Sequence, residues 1–192
     1  PVRLTLGDGA YRLLEQFADA HGRLAGARTR APFQAGWCSW YHFFHAVTED
    51  GVRRNLDALV ASRDEVPIDV VQLDDGYQRA IGDWLETNEK FPSGLEALAH
   101  AIRDAGFQPG LWTAPFCIAS DARIFSERPE WLLRDGDEFF RGLHHGMWSK
   151  DGWIRVLDAS RDDVLAHLER TFSTLVAMGW TYQKLDFLYT QA

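Results

Sequence analysis

Lys184 and Asp186 stand two residues apart in the β-like run QKLDFLYT, residues 183–190. Side chains alternate between the faces of a strand, so both are expected to leave the same side. A cation beside a carboxylate favours its ionised form. An ionised carboxylate can attack an anomeric carbon, and the ammonium can donate to sugar hydroxyls. A purely structural ion pair is the competing reading. Asp74 and Asp75 are adjacent in LDDGYQ, where Gly76 lets the chain turn at a strand end and both carboxylates reach one ligand. Paired carboxylates suit vicinal sugar hydroxyls or a hard metal. The plainer alternative is a cap, with Asp75 bonding the Gly76–Tyr77 turn.

A dense aromatic patch, GWCSWYHFF, fills residues 36–44. Alternation sends Trp37, Ser39 and Tyr41 to one face and Cys38, Trp40 and His42 to the other. Such rings stack on pyranose faces, or they fill a core. His42 and His45 have helical spacing for metal ligands, but no carboxylate pattern accompanies them. His144 and His145 read as loop residues. The segment GDW, residues 82–84, either folds over a pocket or caps the next helix.

These residues need a frame. Residues 1–6 read as a strand end or linker, and residues 8–25 as a helix broken by Pro32. Strand-like runs follow at residues 35–40, 68–75, 108–115 and 180–187. Between them lie three helices. The first spans residues 48–63 with Thr48 as N-cap. The second opens on a capping-box pattern at Ser93 and Glu96 and runs to Gly106. The third is capped by Ser160 and ends at Gly179. Residues 116–158 read as irregular. Strands separated by helices, without hairpin signals, predict a parallel sheet of βα units. No strand leads into a glycine-rich phosphate loop, which argues against a nucleotide fold.

The chemically capable residues all fall at strand C-terminal ends, which a (β/α)8 TIM barrel gathers around one pocket. Such a barrel takes eight strands and about 250 residues. The expectation is therefore α/β, with about four βα units of a half-barrel. Residues 1–30 form a linker and helix before it, and residues 31–192 the first half of the catalytic domain. Two exposed sheet edges make a homo-oligomer an expectation.

The net charge of −8 opposes a broad nucleic-acid surface. Cys38 and Cys117 lack metal-ligand spacing and are expected to be reduced and buried. No apolar stretch is long enough to cross a bilayer, and no signal peptide is read within a chain that starts at Pro1 without Met; a cytoplasmic location is the expectation.

The segments GWCSWYHFF, QLDDGYQRAIGDW, FPSGLEALAHAIRDAGFQPGLWTAPF, FSERPEWLL, VLDAS and QKLDFLY, taken in order, resemble the α-galactosidases of glycoside hydrolase family 36, the melibiase family. Within it they resemble the type with a bacterial hyperthermophile member. The resemblance runs over about residues 35–190. It implies a (β/α)8 barrel after a β-sandwich domain, and cleavage of terminal α-galactosides such as melibiose and raffinose with retention, by double displacement. It implies Asp186 as nucleophile, and Trp40, Tyr41, Asp74, Asp75, Trp112, Lys184 and Phe187 as substrate-binding residues. It implies no metal and no organic cofactor. The family's acid/base Asp lies on the sixth strand, which these residues do not include, so the chain alone is expected to be inactive. The alternatives are an α-galactosyl transglycosylase of the raffinose-family synthase type, an α-N-acetylgalactosaminidase and a non-catalytic sugar-binding fragment. A divalent-metal site at Asp74, Asp75 and Asp186 is a fourth, which the Lys184 charge opposes.

Overall fold

The computed structural model describes residues 6–7, 9–27 and 32–191. Residues 1–5, within the expected linker, lie outside them. The chain divides into two units, Pro1–Phe33 and Gln34–Ala192. The first carries α1 (Ala10–Leu24), with His21 and Arg23 in its last turn, where cations suit the helix dipole.

The second unit alternates strand and helix. In chain order it holds β1 (Gly36–Cys38), the helical turn α2 (Trp40–Phe43), α3 (Glu49–Ala61), β2 (Val70–Leu73), α4 (Gly94–Asp104) and β3 (Gln108–Thr113). An excursion then carries β4 (Cys117–Ile118), α5 (Arg123–Glu127), β5 (Arg134–Asp135), β6 (Glu138–Phe139), β7 (Leu143–His144) and β8 (Trp153–Val156). The unit returns through α6 (Asp162–Ala177) to β9 (Tyr182–Leu185).

The four expected strands form one parallel sheet in the order β1-β2-β3-β9. Among the described residues that sheet is open, with β1 and β9 at its edges. No described helix is long and apolar enough to cross a membrane. Val71, Leu73 and Leu111 face outward from the sheet and are fully buried against Leu98, Ile102 and Leu175 of the covering helices. Their apolar burial, at roughly 1.5–3 kcal/mol per large side chain, holds the layers together.

Two helix starts differ from the sequence reading. Thr48 does cap α3, its Oγ1 accepting from Gly51 N at 3.0 Å. Ser93 makes no side-chain cap; its backbone N donates to Glu49 Oε2 at 2.9 Å instead. A buried carboxylate from another helix thus takes the place of the expected capping box. Arg161, not Ser160, is the N-cap residue of α6, because Ser160 N and Oγ both bond Asp158 Oδ1, at 3.0 and 2.6 Å.

Residues 116–158 are more ordered than expected. They contain an antiparallel sheet, β4-β8-β7, and the hairpin β5-β6. The hairpin turns at Gly136, whose φ is +62°. Its two loop residues, Gly136 and Asp137, are a hairpin signal, but strands of two residues show no alternation to support it.

Candidate active site

The register of the sheet places the site. Cys38 pairs with Gln72, Gln72 with Gly110, and Gly110 with Tyr182, giving one row of side-chain positions. The next inward row brings Asp74, one step beyond the Leu73–Leu111 pair, level with Trp112 and Lys184. Asp186 continues the β9 ladder, its N donating to Thr113 O at 2.9 Å.

The chain turns sharply after β2. Asp74 N donates to Ser39 Oγ at 2.9 Å, and Gly76 follows at φ +119°. A Cβ on Gly76 would come within 3.0 Å of His45 O. Glycine is therefore required by conformation and by space, and it brings both aspartates to the same cavity. After β9, Phe187 adopts φ +53°, a left-handed conformation that is strained for an aromatic residue. In that conformation Phe187 N donates to Asp186 Oδ1 at 2.8 Å.

The carboxylates are held by fixed donors. Asp74 Oδ2 accepts from Gln72 Nε2 at 2.6 Å and Lys184 Nζ at 2.8 Å, with the Cys38 thiol at 3.4 Å. Asp74 Oδ1 accepts from Asp75 N at 2.9 Å. Asp75 Oδ1 accepts from Gln78 Nε2 at 2.6 Å. Asp75 Oδ2 accepts from Trp148 Nε1 at 2.7 Å and lies 3.0 Å from His45 Nδ1. Asp186 Oδ2 accepts from Trp112 Nε1 at 3.0 Å.

Burial disfavours the Lys184 ammonium, but the hydrogen bond and charge of Asp74 outweigh it and raise its pKa; Asp186 adds a smaller pull. Burial likewise raises the Cys38 thiol, with Asp74 adding to the effect. Burial, then the charges of Asp75 and Asp74, push Tyr77 well up. Its hydroxyl stays protonated and donates to Trp112 O at 3.2 Å.

A cavity of about 170 Å³ opens over these groups, lined by Trp40, Asp74, Asp75, Trp112, His145, Trp148, Lys184, Asp186 and Phe187. Trp112 forms one wall, set edge-on to Trp84 and tilted against Trp148, both at 5.7 Å. Trp84 of the GDW segment is thus buried behind the wall, and Asp83 accepts from Arg123 N at the start of α5. Phe187 meets Trp148 edge-on at 4.8 Å.

Seven of the eight residues singled out from the sequence line this cavity. Tyr41 does not: it lies in α2 and is 83% exposed, because strand alternation ends at Cys38. Lys184 bonds Asp74, a partner on another strand, rather than Asp186. The Gly76 turn is held by Gln78, whose Oε1 accepts from Gly76 N at 3.1 Å, and not by Asp75. His45 faces Asp75 instead of pairing with His42 around a metal.

His145 and Trp148 are the lining residues that sequence reasoning missed. His145 stacks on Trp148 at 4.2 Å, and burial, followed by the His45 charge, lowers its pKa. The loop carrying both is pinned by Ser149 Oγ, which accepts from Ser120 N at 3.0 Å and donates to Asp151 Oδ1 at 2.9 Å. Arg155 in turn grips Asp151. No spacing rule links this loop to strand ends 30 or more residues away.

Fixed carboxylates under indole walls are what a polyhydroxylated ligand needs. Residues 39–188 match the Melibiase family model, and the chain belongs to that family. The α-galactosidase AgaA of Geobacillus stearothermophilus is 32% identical over 130 residues, covering 64% of this chain and 17% of that protein. Alpha-galactosidase 2 of Pediococcus pentosaceus is 27% identical over 187 residues, covering 94% of this chain and 24% of that protein. TtGalA, the α-galactosidase from Thermus thermophilus solved with p-nitrophenyl α-D-galactopyranoside, superposes with a TM-score of 0.80 at 38% identity. It covers 93% of this chain, which spans 36% of that one.

Proposed function

We propose that this chain is the first half of the (β/α)8 catalytic barrel of a retaining α-galactosidase, with Asp186 as nucleophile. On this reading residues 1–30 lead into the barrel and residues 31–192 supply its first four βα units. One observation carries the reading: Asp186, oriented by donors to both oxygens, shares a small cavity with the Asp74–Lys184 pair and Asp75. The open sheet edges and the fraction of TtGalA that is covered support the half-barrel.

Galactose binds with its O4 and O6 hydroxyls donating to Asp74 and Asp75. Trp112, Trp148, Trp40 and Phe187 pack around the ring. The axial O4 of galactose meets an acceptor that glucose leaves unpaired, and an unpaired buried carboxylate position costs binding. Lys184 neutralises Asp74 and donates to a further hydroxyl.

Asp186 then attacks C1. The C1–O bond to the leaving sugar breaks, its electron pair stays on the leaving oxygen, and a second carboxyl group protonates that oxygen. A β-linked glycosyl-enzyme results. The same second group next takes a proton from water, which attacks C1 and frees Asp186 with overall retention. Retaining geometry sets the two carboxyls ~5–5.5 Å apart. The family pattern places the second one on the sixth strand, outside residues 1–192.

No metal enters this mechanism, and Lys184 already occupies the Asp74 oxygen that a cation would need. The substrates are α-galactosides of the raffinose series: TtGalA has been solved with stachyose and a variant of AgaA with raffinose. Asp186→Ala in the full-length enzyme should cut hydrolysis of p-nitrophenyl α-galactoside by at least about three orders of magnitude. Azide should restore turnover and yield β-galactosyl azide. Undiminished hydrolysis would overturn the assignment.

A further inference from the structure

The sequence QLDDGYQ sets a glutamine on each side of the aspartate pair, and the structure gives each glutamine one aspartate. Gln72 Nε2 donates to Asp74 Oδ2 at 2.6 Å, and Gln78 Nε2 donates to Asp75 Oδ1 at 2.6 Å. The reverse amide orientation would set two oxygens against each other at that distance, so the donors are assigned by the carboxylates.

A carboxylate offers about four acceptor positions. On Asp74, Gln72 and Lys184 fill Oδ2, the Cys38 thiol adds a weaker contact, and Asp75 N takes one position on Oδ1. One strong position remains, and it is on Oδ1. On Asp75, Trp148 and His45 occupy Oδ2, and Gln78 takes one position on Oδ1. Again one remains. Each aspartate is left able to accept from a single hydroxyl.

Gln72 is built into this place. It is buried in the row below the site, paired with Cys38 and Gly110, and its amide also donates to Cys38 Sγ at 3.5 Å. A Cβ on Gly110 would come within 3.2 Å of Gln72 Cβ, so β3 leaves room for this side chain. Beneath it lies a second cavity of about 150 Å³, lined in part by Cys38, Gln72 and Tyr182. Nothing else in the row supplies an amide donor to Asp74.

We infer that Gln72 is a positioning residue for sugar recognition: it fixes the Asp74 carboxylate and closes Oδ2, so that Oδ1 alone reads one substrate hydroxyl. The inference rests on the α-galactosidase reading above. Asp74, Lys184, Cys38 and Tyr182 are the titratable groups that face or flank Gln72.

The test is galactose affinity of the full-length protein by calorimetry, with Gln72→Glu and Gln72→Met compared with wild type at about pH 5 and about pH 8. Gln72→Met removes the donor and should weaken binding roughly tenfold at both values. Gln72→Glu sets a second carboxyl beside Asp74, where the two share a proton when acid is available. It should bind roughly tenfold more weakly than wild type at about pH 8 and approach wild type at about pH 5, where the O–H again donates. A purely structural glutamine would not give that pH-dependent ratio. A flat ratio for Gln72→Glu, or a Gln72→Met within about twofold of wild type, would overturn the inference while leaving the galactosidase reading intact. Failure of the wild type to bind galactose would overturn both.

Discussion

Lys184 Nζ reaches past β3 to donate to Asp74 Oδ2 at 2.8 Å, so the ammonium serves a carboxylate two strands away rather than Asp186 on its own strand. The Asp74 end of the cavity and the Asp186 end are thereby joined through one side chain. Lys184→Met leaves Asp74 buried without its counter-charge. Stability should fall by about 1–2 kcal/mol, below the ~3–5 kcal/mol of a broken fully buried pair, because the lysine end is partly solvated. Galactose binding should fall with it, and thermal unfolding with and without galactose reads both effects.

Trp148 ties the excursion after β3 to the β2 end through its indole N–H on Asp75. Trp148→Phe keeps a ring against Phe187 and His145 but loses that donor. The prediction is a roughly tenfold rise in KM for p-nitrophenyl α-galactoside with a smaller change in kcat. Steady-state kinetics checks it.

His145 has a lowered pKa, caused first by burial and then by His45. Between its folded value and its ordinary value near 6.5, the unfolded chain binds the proton and the folded one does not. Stability from this group is therefore present above that range and lost as pH falls through it. His145→Gln should flatten the acid side of a melting-temperature profile, with the gap to wild type narrowing as pH drops. Calorimetric melts across that range measure it.

Gly76 stands at φ +119° with His45 O 3.0 Å from where a Cβ would lie. Gly76→Ala should destabilise the protein by about 1–3 kcal/mol and displace the Asp75 carboxylate. Denaturant unfolding gives the first effect and galactose affinity the second.

Much of this architecture was legible in the sequence. The runs around Val71, Leu111 and Leu185 carried strand signals, Thr48 announced α3, and QLDDGYQ with QKLDF marked the strand ends that meet. What stayed hidden depends on contacts distant in sequence. Glu49 replaces the cap expected at Ser93 because α3 and α4 pack together, which no local pattern encodes. Tyr41 turns away because the chain becomes helical after Ser39, where aromatic alternation mimicked a longer strand. His145 and Trp148 enter through a loop whose short strands have no period to read. The Lys184–Asp74 pair is hidden because the nearest carboxylate in sequence is not the partner that the register provides.

The most direct measurement is covalent trapping at Asp186. The full-length enzyme is incubated with an activated fluorinated α-galactoside, digested, and its labelled peptide sequenced by mass spectrometry. One galactosyl ester is expected, on the Asp186 carboxylate within the peptide around QKLDFLYT. A label on Asp74, Asp75 or any other carboxylate, with Asp186 unmodified, would contradict it.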